Sequence, residues 1–221
     1  MISVAIDGPS GAGKSTLAKR LAKELGYIYV DTGAMYRSIG LFGLRENADL
    51  QDAAAMQQLL PRIHLELASI DGAQHIYLNG EDVSETIRQE QVGMAASAVA
   101  AHPCVREFLL GLQRGMAEKQ NVLMDGRDIG TVILPKATVK IFLTASPEAR
   151  AQRRMKELVE KGQPADYEKV LEDIRQRDYQ DTHRKTAPLR QAEDAVLADT
   201  SELDFEESFA LLKKIIAEKA G

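Results

Sequence analysis

Residues 8 to 15, Gly8-Pro9-Ser10-Gly11-Ala12-Gly13-Lys14-Ser15, have the composition and spacing of a G-x-x-x-x-G-K-S phosphate loop. The glycines let consecutive backbone N–H groups turn inward onto phosphate oxygens, and a helix opening directly after them points its positive end at the same anion. Lys14 then reaches the β and γ phosphates, and the hydroxyl of Ser15 is placed to bind Mg²⁺. Together with Thr16 these residues make a nucleoside triphosphate site. A glycine-rich turn with a solvated lysine has the same letters, so the flanks decide. Residues 2–6 before the loop are an apolar strand, and residues 17–22 after it read as a helix.

A phosphate loop does not say what becomes of the triphosphate, and three further clusters carry chemistry. Asp31-Thr32-Gly33-Ala34-Met35-Tyr36-Arg37 stands at the carboxyl end of a second strand-like run, the edge at which open parallel sheets bind ligands. Arg37, one turn into the next helix, has a planar fork suited to a second phosphate, while alone it is as readily a solvated surface charge. Asp125-Gly126-Arg127-Asp128-Ile129-Gly130-Thr131 follows the buried run 121–124, so Asp125 is a strand-end carboxylate able to position Mg²⁺ through its waters. Arg127 and Asp128 face the same edge as donor and acceptor, although a plain turn accounts equally for the two glycines.

The third cluster is rich in arginine: Arg150, Arg153 and Arg154, then Arg175, Arg177, Asp178 and Asp181, and finally Arg184, with Gly162-Gln163-Pro164 between two helices. One reading is a solvated helical face laced with Glu148, Glu157 and Glu172. The other is a lid that closes arginines over a migrating phosphoryl group and excludes water, with Arg153 and Arg154 as its catalytic candidates.

These residues need elements to hold them. Strand-like runs recur at 2–6, 27–30, 122–124, 139–143 and 195–197, with helical stretches at 14–24, 34–44, 52–60, 105–119, 147–161, 167–180 and 205–219. Such alternation predicts an α/β fold, a central parallel five-stranded sheet flanked by helices. Ser146 suits the N-cap of a helix opening at Pro147. Residues 62–88 break the pattern: His64-Leu65-Glu66-Leu67 and Gln74-His75-Ile76-Tyr77-Leu78 alternate, and Asn79-Gly80 is a hairpin turn signal before Glu81-Asp82-Val83. The organisation expected is a core of residues 1–61 and 99–221, a lid at about 148–166 within it, and an antiparallel insert at 62–98. Residues 93–101, rich in small side chains, return the chain to the core.

Composition narrows the classes. Hydrophobic residues make up 44% and charged residues 28% of a 221-residue chain, ordinary for a globular protein with one sizeable core. A net charge of −5 argues against a general nucleic-acid binder, so anionic ligands must meet local clusters of arginine and lysine. Cys104 is the only cysteine, which excludes an intrachain disulfide and fits a reducing, cytoplasmic setting. Met1 leads into strand residues without a basic n-region, and no apolar run reaches roughly 18 residues, so neither export signal nor membrane partner is expected. His64, His75 and His102 lack metal-ligand spacing, and His183 reads as a solvated residue. With no long apolar heptad, a monomer is expected.

Five separated segments, in order and over essentially the whole chain, resemble the nucleoside monophosphate kinases, and most closely the bacterial cytidylate kinases. They are G-P-S-G-A-G-K-S at 8–15, D-T-G-A-M-Y-R at 31–37, A-A-S-x-V-A at 95–100 with V-R-E at 105–107, G-R-D-x-G-T at 126–131 and R-D-x-x-D at 177–181. The resemblance implies the fold of that family, with an enlarged monophosphate-binding insert and a helical lid. It implies transfer of the γ-phosphate of ATP, with Mg²⁺, to CMP or dCMP in pyrimidine nucleotide metabolism. It also implies that Thr32, Ser97, Arg106, Arg127, Asp128, Arg177, Asp181 and Arg184 line the monophosphate site, with Arg37 on its phosphate.

Base chemistry agrees with that implication. Cytosine donates from N4 and accepts at N3 and O2, so a carboxylate such as Asp128 beside a donor such as Arg106 complements it, whereas uracil sets acceptor against acceptor. Asp181 and Arg177 are then partners for the ribose. Another phosphate-loop kinase, acting on UMP, AMP or a sugar acid, would need a different edge. A nucleotide-dependent switch would need no second arginine-lined pocket, and no N-K-x-D motif is present.

Overall fold

The computed structural model describes residues 1–70, 73–160 and 162–220. In chain order its elements begin β1 (Ser3–Asp7), α1 (Lys14–Leu25), β2 (Ile28–Asp31), α2 (Thr32–Arg45), α3 (Ala53–Leu59), β3 (Leu65–Ile70), β4 (Ala73–Leu78) and β5 (Glu81–Asp82). They continue with α4 (Glu90–Ala100), α5 (Pro103–Lys119), β6 (Val122–Gly126), β7 (Val139–Thr144), α6 (Pro147–Glu160), α7 (Tyr167–His183), β8 (Val196–Asp199) and α8 (Phe205–Ala220). A single turn of π-helix, Ile129–Ile133, lies between β6 and β7. The larger sheet has five strands in the order β2-β6-β1-β7-β8, and a three-stranded sheet has the order β3-β4-β5. By their internal contacts the residues form two compact units. One comprises Met1 with Ile28–Asn121, and the other comprises Ile2–Tyr27 with the chain from Val122 onward.

In the second unit β1 lies between β6 and β7, parallel to both, and β7 pairs in parallel with β8. Val4, Ala5 and Ile6 are fully buried, as a continuous apolar strand covered on both faces requires. Register sets the end of the sheet that matters: Asp7 stands opposite Gly126, and Ile6 opposite Asp125. Helix α1 buries Leu17, Ala18, Leu21 and Ala22, a stripe of helical period. Arg20 joins it to α8 by pairing with Glu206 and lying 4.1 Å over the Phe209 ring. Helices α6 and α7 pack through Ala151, Leu171 and Ile174, with Tyr167 and Val170 at the margin. Ser146 Oγ accepts from Ala149 N at 3.2 Å, so the cap expected before Pro147 is present. The expected end of that helix, Lys161, lies outside the described residues.

In the first unit Asp31 caps α2, its carboxylate accepting from Ala34 N at 2.9 Å. Helix α2 packs against α4, which occupies the small-residue segment that sequence reading left as a connection. The small residues are there because the backbones nearly touch: a Cβ on Gly40 would sit 2.9 Å from Ala96 N. The antiparallel sheet follows the predicted alternation, with Leu78 paired to Glu81 across Asn79 and Gly80. Both turn residues have positive φ, 51° and 85°, which is what an Asn-Gly hairpin turn supplies. Cys104 is half-buried on α5.

Candidate active site

The phosphate loop leaves β1 through Gly8, whose φ is 154°. A Cβ there would stand 1.9 Å from the Leu143 carbonyl oxygen, so the loop can pass over β7 only without a side chain. Gly8→Ala is therefore expected to displace the loop or break the β1–β7 pairing. The expected result is loss of ATP affinity by more than about tenfold with a lowered Tm, read by calorimetric titration and thermal melting. At the other end Gly13, left-handed at φ 85°, turns the chain into α1, and as its N-cap residue offers that helix no side-chain cap. Its first N–H groups and its positive end are left to a ligand.

Lys14 is only 6% exposed. Its ammonium folds back to donate to the Pro9 carbonyl at 2.6 Å. Burial pushes it down to about 7, and neighbouring Arg127 pushes the same way, against the pull of Asp125, Asp181 and Asp7. A polyanion in the loop would reverse that balance. Beside it Ser15 Oγ donates to Asp125 Oδ2 at 2.9 Å, which joins the two residues expected to share a metal ion. Both are hard oxygen donors, and Asp125 is buried, so the pair suits Mg²⁺ bound partly through water and phosphate.

In the second unit Arg127 and Arg184 are already paired with carboxylates. Arg127 Nε donates to Asp181 Oδ2 at 2.6 Å. Burial would raise Asp181, but Arg127, Arg184 and Lys14 together outweigh it and hold its carboxyl below the usual range. Arg184 Nη2 lies 3.5 Å from Asp128 Oδ1, and its Nε donates to the Ala187 carbonyl at 2.7 Å. Arg177 precedes Asp181 by one helical turn on α7, so both project from one face.

Arg150 was legible only as part of a basic run, yet it is 2% exposed and tightly held. It donates to the Ser10 carbonyl at 3.0 Å, to the Ala145 carbonyl at 2.8 Å, and to both oxygens of Asp178 at 2.9 and 2.5 Å. Nothing local in sequence signals that pair. A cavity of about 400 Å³ opens beside it, lined among others by Pro9, Phe142, Ser146, Asp178 and Ser201.

Arg153 and Arg154 are not joined to this group. Arg153 donates to the carbonyls of Thr200 and Leu203, at the connection from β8 to α8, and Arg154 pairs with Glu157 at 3.1 Å along its own helix.

Asp7 was not singled out from sequence. It is 4% exposed, and its two oxygens accept from Ile129 N and Gly130 N at 2.7 Å each. Burial raises its carboxyl to about 6 in spite of those two bonds. A polar residue ending an apolar strand is the only sequence signal it carries.

In the first unit Arg37 folds back so that Nη2 donates to Asp31 Oδ2 at 2.9 Å. Its Nε is buried without a hydrogen-bond partner among the described residues. Thr32 is buried at the start of α2, and Ser97 Oγ donates to the Gly93 carbonyl at 3.3 Å. Arg106 donates to the Ala100 carbonyl at 3.4 Å and lies 5.7 Å over the Tyr36 ring.

A family model described as Cytidylate kinase matches residues 4–218. The chain is 50% identical over 220 residues to a protein named cytidylate kinase from Geobacillus kaustophilus, covering 100% of this chain and 98% of that one. It is also 50% identical over 216 residues to the cytidylate kinase of Carboxydothermus hydrogenoformans, covering 98% and 97%. Among solved structures, an uncharacterized protein from Eubacterium ventriosum aligns with a TM-score of 0.53 at 14% identity, over 98% of this chain and 99% of that one. That likeness bears on the fold alone.

Proposed function

This chain belongs to the cytidylate kinase family, and on that premise we propose that it transfers the γ-phosphoryl group of ATP to CMP or dCMP, giving ADP and CDP or dCDP. The observation that carries the reading is the cluster of Lys14, Ser15, Asp125, Arg127 and Asp181, a buried cation and a hard-oxygen pair beside an uncapped helix start. The attacking atom is already an anionic phosphate oxygen, so no general base is needed, and catalysis comes from alignment and charge.

Residues 8–16 would hold the triphosphate, with Lys14 on its outer phosphates. Ser15, and Asp125 through water, would hold Mg²⁺, which when bound neutralises charge on those phosphates. The cavity beside Pro9 and Arg150 is the place proposed for the adenine base. Arg37 would bind the acceptor phosphate, which would supply an acceptor to its Nε, buried without a partner among the described residues. Asp128 and Arg106 would take the cytosine edge, Thr32 and Ser97 would add hydroxyls, and Arg177, Asp181 and Arg184 would take the ribose and phosphate. Arg153 and Arg154 act on the migrating group only by exchanging their present carbonyl and carboxylate partners for it, as closing of the α6–α7 pair would require. The lone cysteine and the net charge of −5 support a cytoplasmic setting without a nucleic-acid partner.

The test is ADP formation from ATP and Mg²⁺ with CMP, dCMP, UMP, AMP and GMP offered separately. Turnover is expected to be greatest with CMP or dCMP. Equal turnover with UMP, or greater turnover with AMP, would overturn the assigned base recognition.

A further inference from the structure

We propose that Asp7 is a positioning residue for acceptor selection: it caps the Ile129–Ile133 turn in place of Asp128, and so leaves the Asp128 carboxylate to face the acceptor base. The inference rests on the role assigned above to Asp128.

The π turn begins directly after Asp128, which occupies its N-cap position. An aspartate there ordinarily turns its own carboxylate onto the first N–H groups of the turn. Asp128 does not, since no side chain of its own turn caps it. The N–H groups of Ile129 and Gly130 go instead to Asp7, which reaches them from the end of β1 with one oxygen each, at 2.7 Å. Asp128 Oδ1 lies toward Arg184, at 3.5 Å.

Two features make the arrangement specific. The register that sets Asp7 opposite Gly126 brings its carboxylate under the segment leaving β6. Gly130 then allows the approach, because a Cβ there would stand 3.3 Å from Asp7 Oδ2 and 3.1 Å from Lys140 Cδ. The same two bonds tie the segment carrying Arg127 and Asp128 to the strand that delivers the phosphate loop, so donor and acceptor subsites share one anchor.

Without the Asp7 carboxylate, two buried N–H groups lose their acceptors, and the nearest replacement is Asp128 rotated into the ordinary cap. Asp7→Ala is therefore expected to raise the KM for CMP about tenfold and to lower the CMP to UMP ratio of kcat/KM by a similar factor, the size of a lost cap. The KM for ATP should change less than about twofold on the same scale. Asp7→Asn, which keeps one acceptor oxygen, should be intermediate and serves if the alanine variant fails to fold. A crystal structure of either variant should find Asp128 turned onto Gly130 N or Thr131 N.

Equal loss of affinity for ATP and CMP with an unchanged ratio, or Asp128 unmoved in the crystal, would overturn the proposal. If the natural chain prefers another acceptor, the reading of Asp128 as a cytosine ligand falls, while the crystallographic result still decides whether Asp7 does the capping.

Discussion

Lys14→Ala is expected to lower kcat by about a thousandfold or more with Tm nearly unchanged. Removal of a single preorganised donor from a transition-state site costs about two to three orders of magnitude, and Lys14 is a charged donor in a buried position. The fold has little reason to notice. The Lys14 ammonium makes a single bond within the loop, to Pro9, and its burial works against the charge it carries. Deleting it removes an unfavourable charge along with a favourable bond. Steady-state turnover at saturating ATP and CMP, set beside a thermal melt, separates the two effects. Near-normal turnover in a folded variant would reject the role given to Lys14.

Asp128→Asn is expected to cut kcat/KM for CMP by about a hundredfold or more and to bring the CMP to UMP ratio toward unity. The side chain is 3% exposed, so a mismatched partner leaves groups unpaired where water cannot repair them. An amide can set an N–H against the N4 donor of cytosine, while the same N–H suits O4 of uracil. Shape is kept, and the bonds from Ile129 and Gly130 to Asp7 do not involve the altered group, so folding should survive. Measuring kcat/KM for both acceptors decides the matter. A ratio that stays at its original value would remove Asp128 from base selection.

The parts of this molecule legible from sequence are those set by local chemistry. The eight residues of the phosphate loop state their own conformation, and the buried strands announce themselves as apolar runs. Asn79-Gly80 specifies its turn because φ is positive at both positions. Ser146 caps its helix by a bond three residues long.

What escaped was set at long range. Asp7 and Gly130 meet only because β1 lies beside β6, and Arg150 finds Asp178 only because α6 packs on α7. Helix α4 was missed for a related reason. Its glycine and alanines look like a flexible connection until Gly40 of α2 is seen pressed against them, where larger residues would not fit. Arg153 and Arg154 could be named as basic lid residues, but sequence could not say that one would hold the turn after β8 and the other its own helix.

The pairing of Arg127 with Asp181 and of Arg184 with Asp128 has a consequence for which anions the protein turns away. Inorganic phosphate carries the same charged oxygens as a nucleotide's phosphate, and bare arginines would bind either. An anion that takes Arg127 or Arg184 away from its partner leaves Asp181 or Asp128 in need of a hydrogen-bond donor. Orthophosphate is rich in acceptors and poor in donors, so it would leave those carboxylates stranded in a poorly hydrated place. A nucleotide carries hydroxyls and, in cytosine, an amino group at a distance from its phosphate. On the proposed assignment it trades partners at both ends at once, so the same pairs that prepare the protein for its substrate disfavour a bare phosphate.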